Sequence, residues 1–185
     1  MKKVYRQQAS QKSQQTSGQD AGKSSLKDKL AVFFATGFYV GFLPKTPGTF
    51  GSIVGLILVA LAKWFWPIGL SSEKNQIAVI LLLGLLILFA YLCIAYSESK
   101  NLLLHDDQRI VIDEIVGISL TLALLQWEFF IVGFLLFRFF DIYKMGPIAW
   151  ADSKLESPLG TLLDDIFAGI IAGCLGYSFQ LALLA

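Results

Sequence analysis

Apolar stretches long enough to cross a lipid bilayer dominate this chain and limit the folds open to it. Gln76–Ser97 contains no charged residue, and Thr161–Leu184 contains only two, both near its start. A helix needs about 20 mostly apolar residues to span the hydrocarbon core of a membrane. The charged fraction of the chain is 16%, against about 25% in an ordinary soluble domain. The sequence therefore predicts an all-α, polytopic membrane helical bundle.

We predict about five membrane spans in one domain. The predicted spans are Gly51–Trp66, Gln76–Ser97, Ile110–Gln126, Phe129–Met145 and Thr161–Leu184. Leu30–Leu43 is also apolar, but as a helix it reaches only about 20 Å, which predicts a half-membrane or interfacial helix. Residues 1–29 are polar and basic and predict a disordered tail, because they lack the apolar residues that a folded core needs. Residues 30–185 then form the membrane-embedded domain.

The distribution of basic residues predicts the orientation in the membrane. If Leu30–Leu43 returns to the side from which it enters, all but Lys63 and Lys74 of the fifteen Lys and Arg residues lie on one side. The positive-inside rule makes that side cytoplasmic, together with the N terminus. The charged motifs described next then lie at the cytoplasmic ends of their helices and share one depth.

The most informative motif is VIDEIVG at Val111–Gly117, which places Asp113 and Glu114 in the first turns of an apolar helix. A charged side chain inside a membrane helix costs about 2.5–3.5 kcal/mol on insertion scales, and such residues are usually functional. Further charged residues lie at the same predicted depth, and we expect them to join one site. They are Arg138, Asp141 and Lys144, followed by Asp164 and Asp165.

Clustered carboxylates without histidine or cysteine partners favour a hard cation, and Mg²⁺ binds carboxylates together with water and phosphate oxygens. The candidate metal ligands are Asp113, Glu114, Asp164 and Asp165. Adjacent residues on a helix point about 100° apart, so one residue of each pair is expected to ligate the metal while the other orients a water or supports a ligand. Their alternative role is to cap helices or to meet lipid headgroups. Arg138 and Lys144 are expected to bind phosphate, unless they form an intrahelical ion-pair ladder with Asp141. For Asp141 the roles of metal ligand, partner of Arg138 and general base stay open.

A loop rich in proline and glycine precedes the first predicted span and offers an anion site. Its candidate substrate-binding residues are Pro47, Gly48, Thr49, Gly51 and Ser52. Backbone amides and hydroxyls at a helix N-terminus bind anions, although hydroxyls there also serve as helix caps. His105 is a further candidate, as a proton donor to a leaving alkoxide; its alternative is an incidental loop residue.

The scarcity of histidine and cysteine excludes some catalytic mechanisms. The chain has one histidine, so a mechanism that needs a histidine pair is not available. Cys93 and Cys174 lie in predicted spans, where small apolar packing residues are expected.

Taken in order, these motifs resemble bacterial phosphatidylglycerophosphatase A. The matching pieces are PGTFGS (Pro47–Ser52), HD (His105–Asp106), DEIVG from Asp113, FRFFDIYK (Phe137–Lys144) followed by Pro147-Ile148, and DDIFAG (Asp164–Gly169). One departure is visible. Members of that family often read K-P-x-P after the arginine-aspartate helix, whereas here Lys144 is followed by Met145-Gly146-Pro147.

The resemblance implies a Mg²⁺-dependent enzyme of the bacterial inner membrane. It implies removal of the terminal phosphate from the lipid phosphatidylglycerophosphate, which yields phosphatidylglycerol, and it implies no nucleic-acid partner. The catalytic residues that it points to are Asp113, Arg138, Asp141 and Lys144. We favour a metal-activated water as the nucleophile, with an aspartyl-phosphate at Asp113 or Asp141 as the alternative.

A small membrane carrier or ion channel is the competing function, because intramembrane carboxylates also mark transport pathways. Transport predicts polar residues near the bilayer midplane, whereas the predicted spans are apolar there and the charges gather towards one face. We therefore expect an enzyme.

Overall fold

The computed structural model of the chain describes residues 25–65, 73–105, 107–145, 148 and 157–184. Its helices are α1 (Leu26–Ala35), α2 (Pro47–Phe65), α3 (Glu73–Ser99), α4 (Ile112–Ala123), α5 (Phe130–Tyr143) and α6 (Pro158–Leu184). Short 3-10 turns lie at Val40–Phe42 and Trp127–Phe129. The described residues contain no β-strand, and the predicted all-α class is confirmed.

Helix α4 lies at the centre of the bundle. Most of its twelve residues are buried, and it packs most extensively against α6 and α2, with α3 and α5 completing its surroundings. A helix that is apolar on nearly all sides needs such neighbours to cover it. The charged residues at its start, Asp113 and Glu114, are therefore carried into the interior of the bundle.

Glycine residues let α4 and α6 approach closely. A Cβ atom on Gly169 would meet the carbonyl oxygen of Gly117. The Thr121 hydroxyl lies 3.1 Å from the carbonyl oxygens of both Gly117 and Gly169. Small residues at helix crossings allow this kind of backbone approach in membrane proteins. The contact fixes the first turns of α4 and α6, which carry the two acidic pairs, relative to each other.

Within the part of the chain that the structure describes, three helical segments are long and apolar enough to cross a membrane, as judged by length and composition. They are Pro47–Phe65, Gln76–Ser99 and Pro158–Leu184. Helices α4 and α5 have twelve and fourteen residues, or about 18 and 21 Å, which is shorter than a ~30 Å hydrocarbon core.

The predicted spans Ile110–Gln126 and Phe129–Met145 were therefore too long, although helices are present at both places. The apolar pattern continues through Leu124 and Leu125, past the last residue of α4. Hydropathy does not mark the point at which the chain leaves the helix and enters the turn at Trp127–Phe129.

The N-terminal apolar segment is a short helix that turns back. Helix α1 begins at Leu26, with a capping box formed by Ser25 and Asp28, and so includes the last four residues of the predicted tail. Residues 1–24 of that tail lie outside the described part. Gly37 and the two residues after it have positive φ angles and reverse the chain.

Both ends of this reversal meet the start of α4. The Val111 amide donates to the Ala35 carbonyl oxygen at 3.0 Å, and Gly51 near the start of α2 also contacts Val111. The end of α1 and the start of α2 therefore lie at one level. This arrangement agrees with the predicted half-membrane helix.

Candidate functional site

The charged motifs meet at one end of the bundle. The first turns of α2, α4 and α6 and the last turns of α5 converge there. Phe137 is fully buried and packs against Gly117, which fixes the neighbouring Arg138 on the side of α5 that faces α4 and α2. The sequence prediction that four separate stretches share one site agrees with this geometry.

Three carboxylates form the centre of the site. Asp113, Glu114 and Asp165 each place an oxygen atom within 4.8 Å of the others. Asp113 and Asp165 are 6% and 4% exposed. Among the described residues, Glu114 Oε2 and Asp165 Oδ1 are buried and have no hydrogen-bond partner. Asp141 lies close to both Glu114 and Asp165.

Buried carboxylates at this spacing repel one another and lose hydration, which destabilises a fold unless a cation compensates them. Within the described residues, nothing compensates Glu114 Oε2 and Asp165 Oδ1, because neither oxygen has a hydrogen-bond partner. An all-oxygen, carboxylate donor set suits Mg²⁺. Asp113, Glu114 and Asp165 therefore fit a divalent cation.

Asp164 differs from its neighbour Asp165, although both are candidate metal ligands. Asp164 Oδ2 accepts a hydrogen bond from Lys144 Nζ at 2.7 Å, and Asp164 Oδ1 accepts one from the Asp165 amide at 3.0 Å. Adjacent residues on a helix point about 100° apart. As a result, Asp165 faces the carboxylate cluster while Asp164 faces the end of α5.

Lys144 ends α5 in a left-handed backbone conformation, with φ of 43°. This conformation is uncommon for a residue other than glycine. It closes the helix through the bond from the Lys144 amide to the Phe140 carbonyl oxygen at 2.9 Å, and the side chain reaches Asp164 on α6. Lys144, which was expected to bind phosphate, is therefore hydrogen bonded to a carboxylate on another helix.

Arg138 connects α5 to α2. One of its terminal nitrogens, Nη1, contacts Asp141 Oδ2 and lies 3.3 Å from Ser52 Oγ. The other, Nη2, lies 3.3 Å from Thr49 Oγ1. Both Arg138 and Asp141 have side chains that are 15% exposed. The predicted Arg138–Asp141 contact is present, whereas the contact to two hydroxyls of α2 was not foreseen.

The residues of the PGTFGS loop have distinct roles in the structure. Pro47 is the first residue of α2, a position that proline favours. A Cβ on Gly48 would meet Glu114 Oε1 and lie 3.4 Å from Arg138 Nη1, so glycine leaves this space open. Gly51 packs against Val111 and serves packing, not the site.

His105 lies in the loop after α3, and its hydrogen-bond partner is Glu98, which is not part of the carboxylate cluster. Its Nδ1 atom is 3.2 Å from Glu98 Oε1, and its side chain is 41% exposed. Its motif partner Asp106 lies outside the described residues. In the same loop, the Arg109 guanidinium hydrogen bonds to Asp107 and holds the pKa of that carboxyl below its usual value.

The contacts that sequence reasoning missed all depend on side-chain direction between helices. They are Gly48 to Glu114, Lys144 to Asp164, and Arg138 to the two hydroxyls. One signal was available: Thr49 and Ser52 are three residues apart, so they share a face once a helix is started at Pro47.

The chain is similar to known membrane-lipid phosphatases over most of its length. The sequence model of the family Phosphatidylglycerophosphatase A matches residues 33–180. The phosphatidylglycerophosphatase A of Haemophilus influenzae is 36% identical over 149 residues, covering 79% of this chain and 86% of that protein. The Escherichia coli protein of the same name is 35% identical over 158 residues, covering 82% and 86%.

A candidate phosphatidylinositol-3-phosphatase of Bacteroides thetaiotaomicron is 28% identical over 160 residues, covering 83% of this chain and 92% of that protein. No solved structure matches the chain.

Proposed function

Because this chain belongs to the phosphatidylglycerophosphatase A family, we propose that it hydrolyses phosphatidylglycerophosphate to phosphatidylglycerol and phosphate. The proposal includes dependence on Mg²⁺ and a site at the cytoplasmic face of the bacterial inner membrane. The observation that carries it is the cluster of three buried carboxylates beside Arg138 at one end of a membrane-type bundle.

Asp113, Glu114 and Asp165 are the proposed metal ligands. Asp164 is the fourth residue that the sequence suggested, but both of its oxygens already accept hydrogen bonds, from Lys144 and from the Asp165 amide. We assign it to holding Lys144. When bound, Mg²⁺ would neutralise phosphate charge and make a coordinated water more acidic.

The cationic side chains of the site suit a phosphomonoester. Phosphoryl transfer spreads negative charge over the equatorial oxygens, and positioned cations stabilise that charge. Arg138 reaches the cluster from α5, and its Nε–H has no partner among the described residues. Lys144 lies at the end of the same helix and adds a second positive charge beside Asp164.

Hydrolysis breaks the bond between the terminal phosphorus and the glycerol oxygen and forms a new bond from a water oxygen to phosphorus. We propose water as the nucleophile, because Asp141 is ion-paired with Arg138 and Asp113 belongs to the metal-binding cluster. The water loses its proton to a carboxylate of the site, and the glycerol oxygen gains a proton. Asp141, in this assignment, orients Arg138.

The cytoplasmic orientation is supported by the placement of the basic residues. Lys63 lies near the end of α4, opposite to the end that carries Asp113 and Glu114. Lys45, Lys100 and Arg109 lie in loops that lead to the starts of α2 and α4. An excess of basic residues marks the cytoplasmic side.

The test is phosphate release by the purified protein in detergent micelles. Phosphatidylglycerophosphate is supplied with Mg²⁺ or with a chelator, and phosphatidic acid and phosphatidylinositol-3-phosphate serve as competing substrates. We expect metal-dependent release that is confined to phosphatidylglycerophosphate. Preferred release from phosphatidylinositol-3-phosphate would reassign the substrate to the one in the name of the Bacteroides relative. Phosphate release in the presence of the chelator would refute the proposed dependence on Mg²⁺.

A further inference from the structure

The hydroxyl of Ser52 is already committed as a donor. Ser52 Oγ lies 2.9 Å from the Gly48 carbonyl oxygen, to which it donates, and it lies 3.3 Å from Arg138 Nη1. A serine hydroxyl has a single hydrogen but two acceptor lone pairs. Since that hydrogen points to a carbonyl, Ser52 acts as an acceptor for the Arg138 N–H and does not donate to a phosphate.

Thr49 accepts from the other terminal nitrogen of the same guanidinium. Thr49 Oγ1 lies 3.3 Å from Arg138 Nη2, and Asp141 approaches Arg138 Nη1 from α5. Acceptors from two helices therefore hold both terminal nitrogens of one guanidinium. The Nε–H has no partner among the described residues, and a guanidinium binds phosphate best when its planar fork is held in a fixed direction.

We propose that Thr49 and Ser52 are positioning residues that act through Arg138. They orient the guanidinium so that its unpartnered edge faces the reacting phosphate. This inference rests on the proposed function, and for Ser52 it replaces the expectation that the hydroxyl donates to the substrate itself. The first turns of α2 are a firm support for this role, because Gly51 packs directly on Val111 at the start of α4.

Ser119 provides a matched control, which distinguishes a positioning role of Ser52 from a purely structural one. Ser119 on α4 is 5% exposed and donates to the Ile115 carbonyl oxygen at 2.6 Å. This is the same bond to the residue four positions earlier that Ser52 makes. Among the described residues, Ser119 makes no hydrogen bond to Arg138. Ser119→Ala thus removes the same kind of hydroxyl from a buried helix without touching the guanidinium.

The experiment compares Ser52→Ala, Thr49→Val, Thr49→Ser and Ser119→Ala, each in the wild-type and the Arg138→Lys background. A hydrogen bond to a charged group is worth enough for roughly a tenfold effect. We expect kcat to fall about tenfold in Ser52→Ala and Thr49→Val, with little change in Thr49→Ser or Ser119→Ala. In the Arg138→Lys background, adding Ser52→Ala or Thr49→Val should cause little further loss, since coupled residues are not additive.

Binding of inorganic phosphate, measured by calorimetry, gives a second readout that needs no turnover. It should weaken in Ser52→Ala and Thr49→Val in parallel with kcat. Fully additive losses in the Arg138→Lys background, or an equal loss in Ser119→Ala, would overturn the positioning role while the phosphatase function stands. An active wild-type enzyme with unchanged Thr49→Val kinetics would do the same. An inactive wild-type protein would overturn both proposals.

Discussion

The two ends of the bundle both contain charged side chains among apolar helices, but they treat those charges differently. At the end opposite the site, Lys63 donates to the carbonyl oxygens of Leu122 and Leu125 at 3.0 and 2.6 Å, and its ammonium lies 5.0 Å from the centre of the Phe130 ring. A cation at a helix C-terminus is favourable because the exposed carbonyls carry partial negative charge.

At the site end, carboxylates lie next to carboxylates. Glu114 Oε2 and Asp165 Oδ1 are buried without a partner among the described residues, although Arg138 and Lys144 are near. A charge that the chain itself satisfies stabilises the fold. A charge that the chain leaves unsatisfied is one that a ligand would compensate, and this difference distinguishes the two ends of the bundle.

The largest effect is expected from the unsatisfied carboxylates. Asp165→Asn or Asp113→Asn should reduce kcat by roughly 10³-fold, because each removes negative charge that the proposed cation needs. The thermal unfolding temperature in detergent should stay the same or rise, since buried like charges repel. Phosphate release and thermal unfolding measure the two effects.

The control for these variants is Asp28→Asn. Asp28 accepts a hydrogen bond from Tyr96 at 2.8 Å, so its charge has a partner within the chain and it lies on α1, away from the cluster. Its kcat should match the wild type. If Asp165→Asn kept wild-type kcat, the three-carboxylate site would be wrong.

A smaller and different effect is expected from Asp164→Asn. The change weakens the hold on Lys144 but leaves the oxygens of Asp113, Glu114 and Asp165 in place. We expect roughly a tenfold loss of kcat/KM, the size typical for a partner that supports a site residue. Binding of Mn²⁺ as a probe cation, followed by electron paramagnetic resonance, should be retained in Asp164→Asn and lost in Asp165→Asn. Loss of Mn²⁺ in both variants would restore the four-carboxylate site that the sequence suggested.

The opposite end should respond in stability and not in catalysis. Lys63→Met keeps the apolar stem but removes the donor to Leu122 and Leu125, which should lower the free energy of unfolding by about 1–3 kcal/mol. Denaturant unfolding in detergent measures this change, and kcat per folded molecule should be unaffected. A large fall in kcat with unchanged stability would show that the two ends are not separate in function.

The sequence predicted which charged residues gather at one end of the bundle, because this depends on their positions along the helices. Hydropathy and the positions of charges placed Asp113, Glu114, Arg138 and Asp165 at one end of an all-α bundle, because helix ends on one side of a membrane share a depth. The sequence predicted a division of roles within the Asp164–Asp165 pair, but not which of the two residues faces the carboxylate cluster. That division depends on which neighbour each side chain faces, and Asp164 faces Lys144, the left-handed residue that ends α5.

The exact ends of the helices could not be predicted from the apolar pattern either. Leu124 and Leu125 are as apolar as the helix before them, so the end of α4 is set by packing and by the turn that follows. Gly48 illustrates the same limit at the site. Gly48 leaves space beside Glu114. The need for that space depends on the distance between α2 and α4, which the sequence of neither helix determines by itself.

The smallest effect is expected from His105→Ala. The side chain is 41% exposed and its Nδ1 atom lies 3.2 Å from Glu98 Oε1, so its partner lies outside the cluster, as those of Lys63 do at the other end. We expect kcat to change by less than about twofold, and its pH profile to keep its shape, because a general acid contributes about 10²–10⁴-fold when it acts. A loss of about 10²-fold in His105→Ala, together with loss of the basic limb of the pH profile, would instead make His105 the proton donor. It would also require the loop after α3 to close over the site.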